Sequence, residues 1–257
     1  MESGILSELK TWVFASCKAR LFNISSTITE KISHIDWQRI TEEMNGRGYA
    51  TVLQFLPVQY CQELIHEYDN SDLYRKTITM ERHGFGSGEY KYFKYPLPDP
   101  IQTIRTAIYP KLAPIANIWM KELNMERRFP DKFTDLQRLC HDNNQSRPTV
   151  LILKYGKAGH NTLHQDLYGD IFFPFQLALF LNEPNDEYSG GEFVLTQQTP
   201  RAQSKAIVLT PHKGDMLIFT TNFRPIKGRK GYYRAQMKHG ISEERYTLGI
   251  IFHDAIS

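Results

Sequence analysis

Cysteine is scarce: Cys17, Cys61 and Cys140 are the three in 257 residues, widely spaced and with no CxxC pair. An odd, scattered set argues against a disulfide framework and predicts a reducing, cytoplasmic setting. Long apolar runs are missing as well. None approaches the roughly 20 residues that span a bilayer, so no membrane partner is expected. Glu2, Glu8 and Lys10 interrupt the first residues, which argues against a secretory signal. Charge of one sign is not in excess: Lys and Arg number 31, Asp and Glu 28, and the net charge is +3. Bulk charge of that size does not imply a polyanionic partner, and only its local distribution can. There is no internal repeat and no low-complexity tract.

What is present is the composition of a globular protein, with 41% hydrophobic and 23% charged residues, both near the usual averages. The 12% of aromatics suits a β-rich core. Ile5 to Phe22 reads as a short helix and Asn23 to Thr29 as a Ser/Thr-rich break. Asp36 is placed to cap a helix reaching about Gly46. Another helix follows Pro57, with Val58, Cys61, Leu64 and Ile65 on one face. Residues 72–98 alternate aromatic and basic side chains, from Tyr74-Arg75-Lys76 to Tyr90-Lys91-Tyr92-Phe93-Lys94-Tyr95, punctuated by Gly84, Gly86 and Gly88. This predicts two short strands around a glycine-rich turn. Pro100 then opens a long helix whose stripe is Ile101, Ile104, Ile108, Leu112, Ile115 and Trp119. Pro110 and Pro114 are expected to kink or split it. A shorter helix spans about Asp131 to His141.

From Pro148 onward the pattern is all β. Strands are expected at 149–155, 161–167, 173–182, 192–198, 206–210, 215–221, 232–240 and 245–253, separated by turns such as Ser189-Gly190-Gly191 and Lys213-Gly214-Asp215. Short, evenly spaced strands predict a closed or double-layered antiparallel architecture, with a jelly roll the first choice. The expected class is therefore α+β: a double-stranded β-helix, cupin-like core with N-terminal supporting helices. The expected division is an extension at 1–35, a helical support region with the basic-aromatic hairpin at 36–147, and a catalytic core at 148–257.

The chemistry is carried by Thr162-Leu163-His164-Gln165-Asp166. Alternation along a strand puts His164 and Asp166 on one face. With a second histidine they would form a two-His-one-carboxylate set, which leaves open positions and suits Fe(II) oxygen chemistry. The triplet alone is weak: with nine histidines, about one HxD is expected by chance. A second one, His34-Ile35-Asp36, precedes a helix, and capping explains its Asp better. Context favours the first. His239 ends a late strand, and Arg245 opens the last one as a cation suited to the distal carboxylate of a bidentate metal ligand. That order is expected of an oxygenase holding 2-oxoglutarate.

Several stretches together resemble the Fe(II)/2-oxoglutarate dioxygenases. They are His83-Gly84-Phe85-Gly86-Ser87-Gly88-Glu89-Tyr90-Lys91-Tyr92-Phe93 with Tyr95-Pro96-Leu97-Pro98, Asn161-Thr162-Leu163-His164-Gln165-Asp166-Leu167-Tyr168-Gly169, Gly190-Gly191-Glu192-Phe193-Val194-Leu195-Thr196, and Thr247-Leu248-Gly249-Ile250-Ile251-Phe252-His253-Asp254-Ala255. Over residues 37 to 255 the chain is similar to a bacterial family of AlkB-like oxygenases acting on damaged DNA, also labelled prolyl-4-hydroxylase-like. The resemblance implies His164, Asp166 and His239 as iron ligands and Arg245 as partner of the 2-oxoglutarate carboxylate. Tyr155, Asn161 and Thr247 are implied as further cosubstrate contacts. The stretch from His239 to Arg245 is shorter than that family's. The implied cofactors are Fe(II), 2-oxoglutarate and O2, and the implied reaction oxidises a substrate C–H bond as 2-oxoglutarate becomes succinate and CO2.

Two basic-aromatic patches bear on the substrate. One holds Arg75-Lys76, Arg82-His83 and Lys91 to Tyr95; the other holds Arg224, Lys227, Arg229, Lys230, Arg234 and Lys238 with Phe223, Tyr232 and Tyr233. Such patches suit a single-stranded nucleic acid, and Arg82, Tyr90, Tyr92 and Arg234 are the candidate contacts. An alkylated base in DNA or RNA would need to be flipped into the iron site. Solvated surface explains each patch equally well, and the tyrosines are as readily explained by packing on the sheet. Three readings stay open: nucleic-acid dealkylase, protein (prolyl) hydroxylase, and non-catalytic β-helix binding module. Cys140-His141 and His253 read as structural, and His160 as supporting the site or merely exposed.

Overall fold

The computed structural model describes residue 21, residues 23–242 and residues 245–256. The helix expected over Ile5 to Phe22 lies, but for Leu21, outside them. Asn23 to Thr29 is not a break but the start of helix α1 (residues 23–34). Ile24, Ile28 and Ile32 recur every four residues and are all buried. The Thr27 and Thr29 hydroxyls bond back to the Asn23 and Ser25 carbonyls at 3.0 and 2.9 Å, a local habit of threonine that a helix tolerates when its apolar face is packed. Helix α2 (Trp37–Arg47) starts at Asp36, whose carboxylate accepts from the Arg39 N–H at 3.0 Å. The His34-Ile35-Asp36 triplet is thus a cap.

Strand β1 (Tyr49–Val52) and helix α3 (Val58–His66) follow. The basic-aromatic segment gives β2 (Tyr74–Thr79), the short β3 (Gly86–Ser87) and β4 (Glu89–Phe93). β2 pairs with β4, and the glycine-rich connection is itself partly a strand. β3 lies on β6 so closely that a Cβ at Gly86 would come within 2.1 Å of the His160 carbonyl oxygen. Helix α4 (Asp99–Glu122) runs through Pro110 and Pro114 as one helix, so the expected split does not occur. The whole stripe from Ile101 to Trp119 is buried, and that packing outweighs the lost backbone bonds. Helix α5 (Phe133–Asp142) completes the helical set.

Nine strands come after residue 148: β5 (Leu151–Lys154), β6 (His160–His164), β7 (Phe175–Phe180), β8 (Phe193–Gln198), β9 (Lys205–Leu209), β10 (Met216–Thr220), β11 (Phe223–Gly228), β12 (Gly231–Ser242) and β13 (Tyr246–Ile251). Strand β11 was not expected. Pro225 disguises it, and it pairs with β12 alone, the edge position where proline is tolerated. Seven strands form a major sheet in the order β1-β10-β7-β13-β5-β4-β2, and a minor sheet has the order β3-β6-β12-β8-β9. The jelly-roll core is therefore present. The expected boundary at 147/148 does not divide it cleanly, since β1, β2 and β4 belong to the major sheet.

The major sheet is buried on both faces. Phe175, Leu177 and Leu179 pack with the helices, while Ala178 and Phe180 pack between the sheets with Phe193 and Phe219. Strand parity thus decides which residues line the space between sheets. On the helix side, fully buried Arg105 of α4 pairs with Asp254 at 2.6 Å and donates to the Phe252 carbonyl at 2.8 Å. Tyr95 and His141 also contact the Asp254 carboxylate. Among the described residues no helix is long and apolar enough to cross a membrane. Arg105→Ala leaves a buried carboxylate short of its main counter-charge, so chemical denaturation should show a loss of about 3–5 kcal/mol; a loss under about 1 kcal/mol would refute this role for the pair.

Candidate metal centre

His164 is the last residue of β6, and the register of β6 on β12 places His239 directly opposite it. The two rings lie 4.2 Å apart between centroids. A register shift on β12 between His239 and Ile241 marks a bulge beside the site. Asp166 lies past the end of β6, in the loop 165–174, so strand alternation does not place it as expected. It nevertheless arrives between the imidazoles: Oδ1 is 3.5 Å from His164 Nε2 and Oδ2 is 3.3 Å from His239 Nε2. One ligand atom from each residue lies within 4.8 Å of the others.

The three side chains are oriented by their neighbours. His164 Nδ1 donates to the Thr162 carbonyl at 2.7 Å, which orients the ring with Nε2 toward Asp166. Phe193 stacks on the His239 ring with planes 11° apart, and Phe219 meets it edge-on. Burial pushes the Asp166 carboxyl up, but hydrogen bonds from His164 and His239 outweigh it and hold the group well below the usual carboxylate range. Burial, helped by the His164 charge, pushes His239 down. At His164 the same burial is outweighed by Asp166, and its pKa rises. An anionic carboxylate with two imidazoles is the donor set that suits Fe(II) with open positions.

A cavity of about 250 Å³ adjoins these atoms, and Tyr155, Asn161, Gln176 and Thr247 help to line it. Tyr155 follows β5, Thr247 is on β13, and Asn161 is on β6. The Tyr155 hydroxyl and Thr247 Oγ1 are buried without a hydrogen-bond partner, although Asn161 lies beside the former. Arg245 sits next to this wall without lining the cavity; its carbonyl accepts from the Tyr155 N–H at 3.0 Å. Its guanidinium, 2% exposed, lies 4.5 Å over the Phe180 ring. One nitrogen donates to the Tyr188 hydroxyl at 3.3 Å, while Nε and Nη2 have no partner. A buried cation and two buried hydroxyls left unpaired in one place fit an anionic carboxylate.

The candidate substrate residues are not gathered in the same way. Tyr90 lines the cavity. Tyr92 is 7% exposed and donates to the Tyr168 hydroxyl at 3.3 Å, so it does not meet a substrate. Arg82 is exposed and outside the cavity wall. Arg234 is exposed on β12 and lies over the Phe223 ring at 4.7 Å. Part of the first patch is structural, whereas in the second Arg224 is buried and Lys227, Arg229, Lys230, Arg234 and Lys238 are exposed. Lys91 covers the Tyr68 ring at 4.1 Å, and Arg224 is buried against the Asn45 and Gly46 carbonyls. His160 is exposed. His253 is buried and accepts from the Phe173 N–H at 3.1 Å, and Cys140 is buried in α5, both structural as expected. Sequence reasoning missed Tyr168, which donates to Asp166 Oδ1 at 3.0 Å, and Gln176, whose amide nitrogen is 3.2 Å from His239 Nε2. For Tyr168 the available signal was its position two residues after the HxD triplet; Gln176 could have been placed by β7 parity.

Residues 88–255 match the profile of the Oxygenase-NA family, described as "Oxygenase, catalysing oxidative methylation of damaged DNA". Two uncharacterized proteins from two strains of Mycobacterium tuberculosis are each 43% identical over 167 residues, covering 63% of this chain and 72% of theirs. Among solved structures, a Pseudomonas putida prolyl-4-hydroxylase superposes with a TM-score of 0.50 at 13% identity, over 85% of this chain and 100% of that one. A Trichoplax adhaerens prolyl hydroxylase, solved with a hypoxia inducible factor peptide, gives a TM-score of 0.51 at 12% identity, over 87% and 95%. At such identity these two establish the shared fold alone.

If the three residues form a metal site, Mn(II) should raise the melting temperature of the apo protein. At 100-fold excess over Kd the gain corresponds to about 2.7 kcal/mol, and Asp166→Asn should abolish it. The affinity should fall as pH drops, because protons compete for the imidazoles. An equal Mn(II) effect on wild type and variant would refute the site.

Proposed function

The chain belongs to the Oxygenase-NA family, and on that premise we propose that it is an Fe(II)- and 2-oxoglutarate-dependent dioxygenase that removes alkyl groups from nucleic-acid bases. The observation that carries the reading is that two sets of groups adjoin: the His164, Asp166 and His239 donors on the cavity, and the unpaired hydroxyls of Tyr155 and Thr247 on its wall with the unpaired nitrogens of Arg245 behind them. His164, Asp166 and His239 hold the iron. Arg245 and Thr247 take the distal carboxylate of 2-oxoglutarate, with Tyr155 and Asn161 completing that wall. When bound, iron, 2-oxoglutarate and O2 together supply the oxidation of a substrate C–H bond, with succinate and CO2 as coproducts. Leu153, Phe193, Phe219 and Ile251 line the cavity and keep stray water from it.

The family description, with its damaged DNA, favours a base as substrate. So does the mouth of the cavity. Phe85 lines it while 45% exposed, and the His83 ring stacks on it at 5.3 Å and 21°. The Phe85 carbonyl accepts from the Thr162 N–H at 2.9 Å and hydroxyl at 3.1 Å, which fixes this aromatic pair over the opening. Arg82, next to His83 in the chain, is exposed. An unstacked base meets an aromatic face there and a cation for its backbone. Hydroxylation of an N-methyl carbon gives an N-hydroxymethyl group, which breaks its C–N bond to release formaldehyde and the free base nitrogen.

The test is turnover with Fe(II) and 2-oxoglutarate on N-methylated single-stranded oligonucleotides and on proline-containing peptides. The expected result is formaldehyde release with loss of the methyl mass from the oligonucleotide. Phe85→Ala should weaken oligonucleotide binding by about 5- to 150-fold and leave 2-oxoglutarate binding unchanged. Addition of one oxygen atom to a peptide with no formaldehyde from any oligonucleotide would overturn the substrate assignment in favour of a protein hydroxylase.

A further inference from the structure

Asp166 has no ladder to hold it. It lies in the irregular loop 165–174, yet its carboxylate has to be delivered between two imidazoles that are each fixed by a strand. Tyr168, two residues on, donates its hydroxyl to Asp166 Oδ1 at 3.0 Å. We infer, on the reading of His164, Asp166 and His239 as a metal centre, that Tyr168 is the positioning residue of the carboxylate, occupying Oδ1 so that Oδ2 alone is presented to the ion.

The surroundings of Tyr168 are built for that task. Its own loop is clamped by Gln145, which is fully buried. The two N–H groups of the Gln145 amide are shared among three carbonyls within reach of its nitrogen, those of Tyr168 at 2.9 Å, Ile171 at 2.8 Å and Asp254 at 2.6 Å. Its amide oxygen accepts from the Ile171 N–H at 2.8 Å. The clamp needs a glycine: Gly169 has φ +76°, and a Cβ there would come within 2.5 Å of the Gln145 side chain. One side chain therefore ties the ligand loop to the segment that ends β13.

The direction of the Tyr168 proton is set from the other side. The Tyr92 hydroxyl donates to the Tyr168 oxygen at 3.3 Å, which uses its acceptor capacity and leaves its own proton for Asp166, an obligate acceptor when ionised. Tyr92 is in turn braced by Arg75, whose guanidinium lies 4.6 Å over its ring and whose Nε donates to the Pro148 carbonyl at 3.0 Å. The basic-aromatic hairpin thus reaches the metal centre from behind, through Arg75, Tyr92 and Tyr168 in sequence. Oδ2 is the oxygen nearer His239. One-oxygen ligation keeps positions open for cosubstrate and O2.

The test uses the full chain with Co(II), whose visible absorption reports coordination number, and Tyr168→Phe, which keeps the ring and its packing. The expected result is an apo melting temperature like that of wild type, Co(II) affinity lowered about 10- to 100-fold, and a weaker visible absorption as the second Asp166 oxygen joins the ion. Tyr92→Phe, which leaves the Tyr168 hydroxyl in place, should move both readouts in the same direction by a smaller factor, and it keeps the inference testable if Tyr168→Phe does not fold. Wild-type affinity and spectrum in these variants would overturn the positioning role while leaving the metal centre intact. Failure of the wild-type protein to bind Co(II) would overturn both.

Discussion

An ionised carboxylate that is 8% exposed cannot stand alone, because a charge removed from water is either compensated or lost. Asp166 is compensated by His164, His239 and Tyr168. These groups come from β6, β12 and the loop 165–174, so the fold has to bring three pieces of backbone to one point. The antiparallel register of His239 on His164 supplies two of them, and the Gln145 clamp on the loop supplies the third. Much of the architecture serves this convergence: the long helix supports the major sheet, the major sheet faces the minor one, and the minor sheet carries the imidazoles.

The other half of the cavity shows the opposite condition. Arg105 and Arg245 are both buried, and they differ in a telling way. Arg105 pairs with a carboxylate and engages both terminal nitrogens. Arg245 has one hydroxyl partner and two unpaired nitrogens, and among the described residues no carboxylate pairs with it. Buried donors left without partners cost roughly 1–3 kcal/mol each. The Tyr155 and Thr247 hydroxyls share that condition. A cluster of such atoms is sustained most simply if a bound anion completes it. The reaction class therefore rests on both halves, the compensated carboxylate of Asp166 and the unpaired nitrogens of Arg245, rather than on the triad alone.

The legible part of the sequence was periodic or ligand-like. Short, evenly spaced strands separated by turn residues after residue 148 led to the jelly roll, and HxD with a late histidine and a basic residue led to the residues that the fold gathers. What escaped was set by tertiary context. Nothing local tells that α4 runs through two prolines, since only its buried stripe makes that tolerable. Pro225 concealed β11 because an edge position cannot be read from a single segment. Asp166 was reached for an incomplete reason: it shares a site with His164 through a clamped loop and not through strand parity. Gln145 and Arg105 lie outside any motif, and Tyr168 was marked by nothing but its place two residues after the HxD triplet; their roles exist as contacts. The basic-aromatic hairpin misled most. Arg75, Lys91 and Tyr92 carry the composition of a nucleic-acid surface, yet they brace the interior, and the exposed aromatic at the cavity mouth is Phe85.

The most direct test of the central claim, that the unpaired atoms behind the metal donors form a dicarboxylate site, is calorimetric titration of 2-oxoglutarate into Mn(II)-loaded protein, in wild type and in Arg245→Met. The account predicts saturable binding of one equivalent to wild type and, from loss of a buried charge-assisted pair, a weakening of about tenfold or more in the variant. Equal affinity in the two proteins, or no binding to wild type, would contradict it.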